Sequence, residues 1–518
     1  PAVAEMAIAG GRIRHIGGRL GQFEVEVDGY APALPSSRAR LEFAMARDGA
    51  KSRCDVVLDL SGGRALIADH RRDGYLRADP RDAAAMMRAV LKASDLVGEF
   101  EKPLYVGYDA GICAHARSAK TGCTRCLEVC PTGAITPSGD HVAIDVAICG
   151  GCGNCSAVCP TGAVSYAFPP RADVIGRAGV LLETYLAAGG QRPILLVHDD
   201  AHGTPLIAAM ARHGRGLPAN VLPLKLFSTL QVGHDILAAM LAAGAEQVVV
   251  LAPPEHPEEL LALERETALA LALSGGLGYA GPRVAMLVER DPDAAEAALH
   301  GLPVLPAMPR RPIVGLGGKR DVARTMLARL YDSAPKPVER IALMTGAPYG
   351  RINVATEGCT LCLACVGACP TGAITDNPER PQIAFTEAAC VQCGICVATC
   401  PEKVITLAPG YDFTTAALSP TVLKSEEPFH CVRCAKPFGA KASIEKVVAR
   451  LKGHSMFQNE QQLALIQMCE DCRVTVLAES GNDPFRSADR PRMRTTDDYL
   501  QEEAAAKAAG RKPEDFLS

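Results

Sequence analysis

"CGGCGNCSAVCPTGAV", residues 149–164, carries four cysteines at the spacing C-x2-C-x2-C-x3-C-P. This spacing suits a cubane iron-sulfur cluster. A short loop can curl Cys149, Cys152 and Cys155 around one cluster, while Cys159, on the following turn, reaches a neighbouring cluster. Ligands are therefore exchanged between runs, and the runs are expected in pairs. Pro160 removes a backbone donor and fixes the turn, and the small "TGAV" behind it leaves room for close packing. Zinc sites present paired cysteines in closed tetrahedra, without the triple spacing and the trailing Cys-Pro.

The same run recurs at Cys359, Cys362, Cys365, Cys369-Pro370 and at Cys390, Cys393, Cys396, Cys400-Pro401. A fourth run is altered. In "GICAHARSAKTGCTRCLEVCPTGAI", residues 111–135, the last three positions are Cys123, Cys126 and Cys130-Pro131, but the first falls on Lys120 and the nearest upstream cysteine is Cys113. The excursion "AHARSAKTG" is small, polar and Gly-ended, so a surface loop can bring Cys113 back. Loop closure adds little entropy, because each doubling of loop length costs about 0.6 kcal/mol. Two alternatives stand beside this reading: a three-iron cluster lacking one ligand, or His115 in place of Cys113. The expected sets are Cys113, Cys123, Cys126 and Cys159; Cys149, Cys152, Cys155 and Cys130; Cys359, Cys362, Cys365 and Cys400; and Cys390, Cys393, Cys396 and Cys369. That makes four 4Fe-4S clusters in two dicluster modules.

The runs repeat as modules. Cys130 to Cys159 is 29 residues, Cys369 to Cys400 is 31, and the corresponding cysteines of the two modules lie 239 and 241 apart. Between them, strand-like runs ("RPILLVHDD", "NVLPLKLF", "EQVVVLAP", "RVAMLVER") alternate with helical ones, which predicts a parallel sheet with helices on both faces. Before them, "GQFEVEVDGY", "CDVVLDLSGG" and a helix opened by Asp79-Pro80 predict a small α/β domain, with Cys54 as a buried small hydrophobe. The expected division is a small α/β domain over 1–105, dicluster module 1 over 106–170, and a cysteine-free, flavodoxin-like α/β domain over 171–345. Dicluster module 2 follows over 346–410, then a four-cysteine domain over 411–480 and a charged tail over 481–518. The fold class is multidomain α/β and α+β.

Two further pairs, Cys431-x2-Cys434 and Cys469-x2-Cys472, flank a helical pattern, "ASIEKVVARLKG". Two such knuckles make a four-thiolate site for one structural zinc. A fifth iron-sulfur centre and unmetallated thiols are the alternatives, and His430 and His454 are read as incidental.

Composition narrows the classes. Of 518 residues, 22% are charged and the formal net charge is -4, so no basic surplus points to nucleic acid, and aromatic residues are 4% with no Trp. The longest apolar stretch, "TALALALSGGLGYAGP" at 267–282, is short and broken by glycines, so no membrane span is expected. The 21 cysteines, all but Cys54 in the groups above, suit metal binding by reduced thiolates in a cytoplasmic setting. Two weaker motifs have plain readings: "VGLGGKRD" (314–321) lacks the phosphate-loop pattern and reads as a turn, and "VHDDAHGT" (197–204), although it follows a strand, reads as a solvated loop.

The cysteine-rich segments resemble bacterial two-cluster ferredoxins. The insert around 192–300 resembles the delta-subunit domain of methyl-viologen-reducing hydrogenases, but no cysteine occurs between Cys159 and Cys359, so the two-iron cluster of such domains has no ligands here. The whole order, with "CDVVLDLSGG", "EGCTLCLACVGACPTGAI", "CVQCGICVATCPEKVITL", "CVRCAKPFG" and "MCEDCRV", resembles a family of large proteobacterial 4Fe-4S proteins linked to formate dehydrogenase systems. That resemblance implies a formate dehydrogenase catalytic subunit as redox partner. It also implies additional N-terminal sequence, since the chain opens on Pro1. The expected role is a non-catalytic electron-transfer subunit. The rivals are a flavin- or nucleotide-dependent reductase, decided by flavin absorbance, and an iron-sulfur carrier or assembly platform, decided by labile iron.

Overall fold

In the computed structural model, the residues described are 7–452, except 312, 314 and 316, together with 460–479 and 495–510. They form two compact units: the first comprises residues up to Cys359, Leu363–Asp376 and Ile383–Lys424, and the second comprises Thr360–Cys362, Asn377–Gln382 and the described residues from Ser425 onward.

The centre of the first unit is a four-stranded parallel sheet in the order Val221–Lys225, Ile194–His198, Gln247–Ala252, Val284–Val288. These are the four runs predicted as strands. Strands covered on both faces are apolar throughout, and here the two faces separate residue by residue. Leu195, Val197, Val248 and Val250 join a core with helices Arg171–Ala187, His234–Ala242, Pro257–Gly276 and Lys319–Tyr331, while Ile194, Leu196, Val249 and Leu251 pack against Gly203–His213 and Pro292–His300. Helices thus cover both faces, as expected.

The two cysteine-rich segments fold alike. In the first, strand Val106–Tyr108 pairs with Val164–Tyr166 and hairpin Ile135–Ser138/His141–Ile144 lies between them in sequence. In the second, Gly350–Val354 pairs with Ile405–Asp412 and Ile374–Asp376 pairs with Gln382–Phe385. Strand Arg340–Ala342, which the sequence reading placed in the insert, pairs with Ile405–Asp412 of the second segment. Neither segment hangs on a linker. Cys152, Tyr349 and Tyr411 belong to the same hydrophobic core as the sheet.

The N-terminal region folds as an antiparallel sheet of Ala9–Arg19, Gln22–Pro32 and Ala50–Cys54, a parallel pair Val57–Asp59/Tyr75–Arg77, and helix Ala83–Ser94. That helix starts after Asp82, whose side chain accepts from the Ala85 N–H at 2.9 Å, and not at Asp79-Pro80. Cys54 is half-buried beside Ile16, Phe23 and Tyr75.

The second unit holds hairpin Pro428–His430/Pro437–Ala440 and helices Lys441–Leu451, Glu460–Ile466 and Glu470–Glu479. Within the segment expected as a tail, Thr496–Ala508 is a helix opened by a Thr495/Asp498 capping box. Residues 481–494 and 511–518 of that tail, and His454, lie outside the described residues. No helix among the described residues is long and apolar enough to cross a membrane.

Candidate metal centres

The excursion between Cys113 and Cys123 is a β-hairpin rather than an irregular loop. Ala116–Arg117 pairs with Lys120–Thr121, and Ser118 and Ala119 make the turn at φ 51° and 60°. Positive φ at both central residues is the requirement of the tight hairpin turn whose twist matches the strands. Two more bonds extend the ladder to its base: Gly122 N–H to His115 carbonyl at 2.7 Å and Cys123 N–H to Ala114 carbonyl at 3.0 Å. Cys113 is thereby returned to Cys123. Together with Cys126 and Cys159 they wall one small cavity. His115 is 5% exposed and lines the same cavity, with its Nδ1 bonded to the Cys123 carbonyl at 3.0 Å.

A second cavity is walled by Cys369, Cys390, Cys393 and Cys396. Cys130 lies close enough to Cys149, Cys152 and Cys155 to act electrostatically on all three. The two cavities bring together Cys113, Cys123, Cys126 and Cys159, and Cys369, Cys390, Cys393 and Cys396. The set Cys359, Cys362, Cys365 and Cys400 rests on motif spacing.

The donor chemistry fits a cubane. Burial pushes the Cys126 thiol up to about 12, with Cys123, Cys159 and Cys113 adding to it, and pushes Cys393 up to about 11, with Cys369, Cys390 and Cys123 adding. Thiols so crowded stay protonated until a cationic centre takes them, so metal binding here releases protons. Bound to these thiolates, a 4Fe-4S cluster supplies one-electron redox chemistry.

The backbone of the regular runs is specialised. The residue before the second cysteine and the residue after it both take left-handed φ: Gly151 and Gly153, Leu361 and Leu363, Gln392 and Gly394. For the non-glycine members that conformation costs about 1–3 kcal/mol, a strain typical of ligand-clamping loops. In the altered run Gly122 and Thr124, which flank Cys123, keep negative or extended φ, and the helical turn Arg125–Glu128 follows as Asn154–Val158, Ala364–Ala368 and Ile395–Thr399 follow in the regular runs.

Several residues that hold these loops escaped sequence reading. In three runs the threonine of Cys-Pro-Thr faces the fourth cysteine: Thr132 at 3.6 Å from Cys130 Sγ, Thr161 at 3.6 Å from Cys159 and Thr371 at 3.7 Å from Cys369. Toward a metal-bound thiolate only the hydroxyl can donate. Lys319, 4% exposed, donates to the carbonyls of Ser156, at 2.8 Å, and Ala157. Its neighbour Arg320 donates to Ala388 at 2.8 Å, Pro348 at 3.0 Å and Cys390. One helix start therefore grips both modules. This is the "VGLGGKRD" segment read as a turn, and Lys319 is engaged with carbonyls rather than directed at a phosphate.

The sheet adds a further hold. Its strands are parallel, so their carboxyl ends share one edge, and the first module's ligand loop sits there. Ser228 Oγ donates to the Cys152 carbonyl at 2.7 Å, Gln231 packs on Gly153, and Asn154 Nδ2 donates to the Glu259 carbonyl at 3.0 Å. Arg71 forks onto the Glu259 carboxylate at 2.5 and 2.9 Å. At the same edge, "VHDDAHGT" is solvated at Asp200 and Ala201, where Asp200 pairs with Lys225 at 3.0 Å, but Asp199, 9% exposed, is structural and accepts from the N–H groups of His202 and Gly203 at 2.8 and 2.9 Å.

In the second unit Cys431, Cys434, Cys469 and Cys472 present sulfurs all within 4.8 Å of one another, with Cys434 and Cys469 at 3.6 Å. Backbone N–H groups of Cys469, Cys434 and Arg433 overcome burial and bring Cys431 down to about 6. Four thiols so close can hold a zinc or a cluster.

Residues 121–163 and 358–405 each match a family of 4Fe-4S dicluster domains. Both cysteine-rich segments are thus dicluster ferredoxin domains, and Cys113 lies outside the first matched span. Set against curated proteins, the chain matches none. Two 4Fe-4S ferredoxin domains support an iron-sulfur electron-transfer role.

Proposed function

We propose that this chain is an electron-transfer subunit with four 4Fe-4S clusters, passing single electrons between a partner oxidoreductase and an acceptor. The ligands are the four sets expected from sequence, with Cys113 as the displaced first ligand. The observation that carries the reading is the pair of small cavities, each walled by four cysteines from two runs. An α/β sheet ordinarily binds a nucleotide or flavin beyond the carboxyl ends of its strands. Here the first module's own loop occupies that edge, which favours a scaffold over a reductase. The sequence resemblance supplies the partner, a formate dehydrogenase catalytic subunit, and reduced thiolates suit the cytoplasm.

For the C-terminal quartet zinc is the better occupant. A Zn–S bond of about 2.3 Å sets sulfurs about 3.8 Å apart around a tetrahedron, close to the 3.6 Å of Cys434 and Cys469, whereas a cubane spreads its ligands over four irons.

Anaerobic purification tests the reading: iron and acid-labile sulfide should each approach about sixteen per chain, without flavin absorbance. About eight of each, or stoichiometric flavin, would sink it. Co-purification from the native cell, with the bound subunits identified, tests the partner.

A further inference from the structure

The hairpin that returns Cys113 has a second face. Its strand Lys120–Thr121 packs against helix Ile395–Thr399 of the second module. Gly122, the next residue, lies so close to Ile395 that a Cβ there would overlap the Ile395 side chain and press on the Ala114 carbonyl. Ile395 is 0% exposed, so it has no room to withdraw. Gly122 is therefore demanded by space and not by backbone conformation. One residue further, Cys123 lines a cavity whose other wall carries Cys393. Arg125, inside the altered C-x2-C, spans that cavity and donates to the Gly346 carbonyl at 2.7 Å. A regular run, with its first cysteine at position 120, would have no hairpin to set against Ile395.

We propose that hairpin 114–122 is a docking element, that Gly122 and Ile395 are its positioning residues, and that this junction couples the two dicluster modules electronically at Cys123 and Cys393. The chain is then one four-centre unit in which the sets containing Cys123 and Cys393 are the inner pair. The displacement of the first ligand to Cys113 is the structural condition for that contact. The proposal rests on the iron-sulfur reading above.

Low-temperature electron paramagnetic resonance of the fully reduced protein, with iron counted on the same samples, separates the two. Wild-type iron far below about sixteen per chain overturns the reading and the proposal with it. With iron complete, magnetic coupling decides. Cys393→Ala should narrow the first-module signals, identified as those that Cys126→Ala and Cys149→Ala alter, whereas Cys359→Ala in the same second module should leave them as they are. Gly122→Val, which wedges the hairpin away from Ile395, should keep wild-type iron and produce the same narrowing. Ile395→Ala removes bulk instead of adding it and should weaken the coupling even where Gly122→Val fails to fold. First-module signals indifferent to Cys393→Ala and to both junction variants, or equally sensitive to Cys359→Ala, overturn the proposal.

Discussion

The backbone N–H of Cys123 bonds to the carbonyl of Ala114 at 3.0 Å, so two residues nine apart in sequence stand side by side at the base of a hairpin. The adjacent Cys113 reaches the cavity of Cys123, Cys126 and Cys159 by this bond. Cys113→Ala should therefore remove one ligand from one centre. A three-iron signal absent from wild type should appear in the oxidised protein, with iron falling by about one to four per chain. His115→Ala should give no such signal. The reverse pattern would make His115 the ligand.

Threonine behind the fourth cysteine should tune potential. Thr161 lies 3.6 Å from Cys159 Sγ, and a hydrogen bond to sulfur favours the more negative, reduced state. At about 0.5–1.5 kcal/mol for such a bond, Thr161→Val should move one midpoint potential about 20–60 mV lower. Redox titration would show it, and unshifted midpoints would deny the threonine that role.

Lys319 should govern how firmly the first module holds its iron. Removing the ammonium orphans two buried carbonyls, Ser156 and Ala157, at about 1–3 kcal/mol each. Lys319→Met should speed chelator-driven iron loss from the first module and raise amide exchange over 154–159. Equal acceleration in both modules would point to general unfolding instead.

Glu266 should make stability depend on pH. Burial alone would raise its pKa, but His234, bonded at 2.5 Å, and Lys319 outweigh burial and hold the carboxylate at about 2, against 4.5 unperturbed. A depressed carboxylate stabilises the fold fully above its unfolded value and less as pH falls toward its folded one. Glu266→Gln should cost on the order of 3 kcal/mol near neutral pH, with the deficit narrowing as pH falls below 5. Urea unfolding at several pH values reads this directly, and a deficit growing toward acid would reverse the sign.

The C-terminal quartet should bind independently of the cubanes. Cys431→Ser is expected to abolish about one zinc per chain and to destabilise helices Lys441–Leu451 and Glu470–Glu479, with the cubane signals intact. Elemental analysis decides, and loss of a cubane signal would contradict the assignment.

Cysteine spacing made the modules legible, because ligand geometry is imposed by short stretches of chain. The four strands of the insert were legible too, since strands buried on both faces are unbroken apolar runs. The hairpin was not: Ser118-Ala119 lacks the Asn-Gly or Asp-Gly that usually announces such a turn. Nor could the sequence reveal Gly122 against Ile395 or Lys319 against Ser156. These pairs are far apart in the chain, and their chemistry, a glycine in a loop and a lysine at a helix start, is ordinary until the fold brings the partner. The pairing of Arg340–Ala342 with Ile405–Asp412 was hidden for the same reason, as strand pairing is decided by register and not by local pattern.

The grip of Lys319 on the first module also sets a timetable for synthesis. Lys319 lies 160 residues beyond Cys159. At about 5–20 residues per second, it leaves the ribosome about 8–32 s after that cysteine. Ser228 and Glu259 emerge 69 and 100 residues after Cys159, before Lys319, so the nascent first loop has all its cysteines before it gains its braces one after another. The loop that carries the ligands is thus complete in sequence before the inserted domain can clamp it, and Lys319 supplies the last of the three holds.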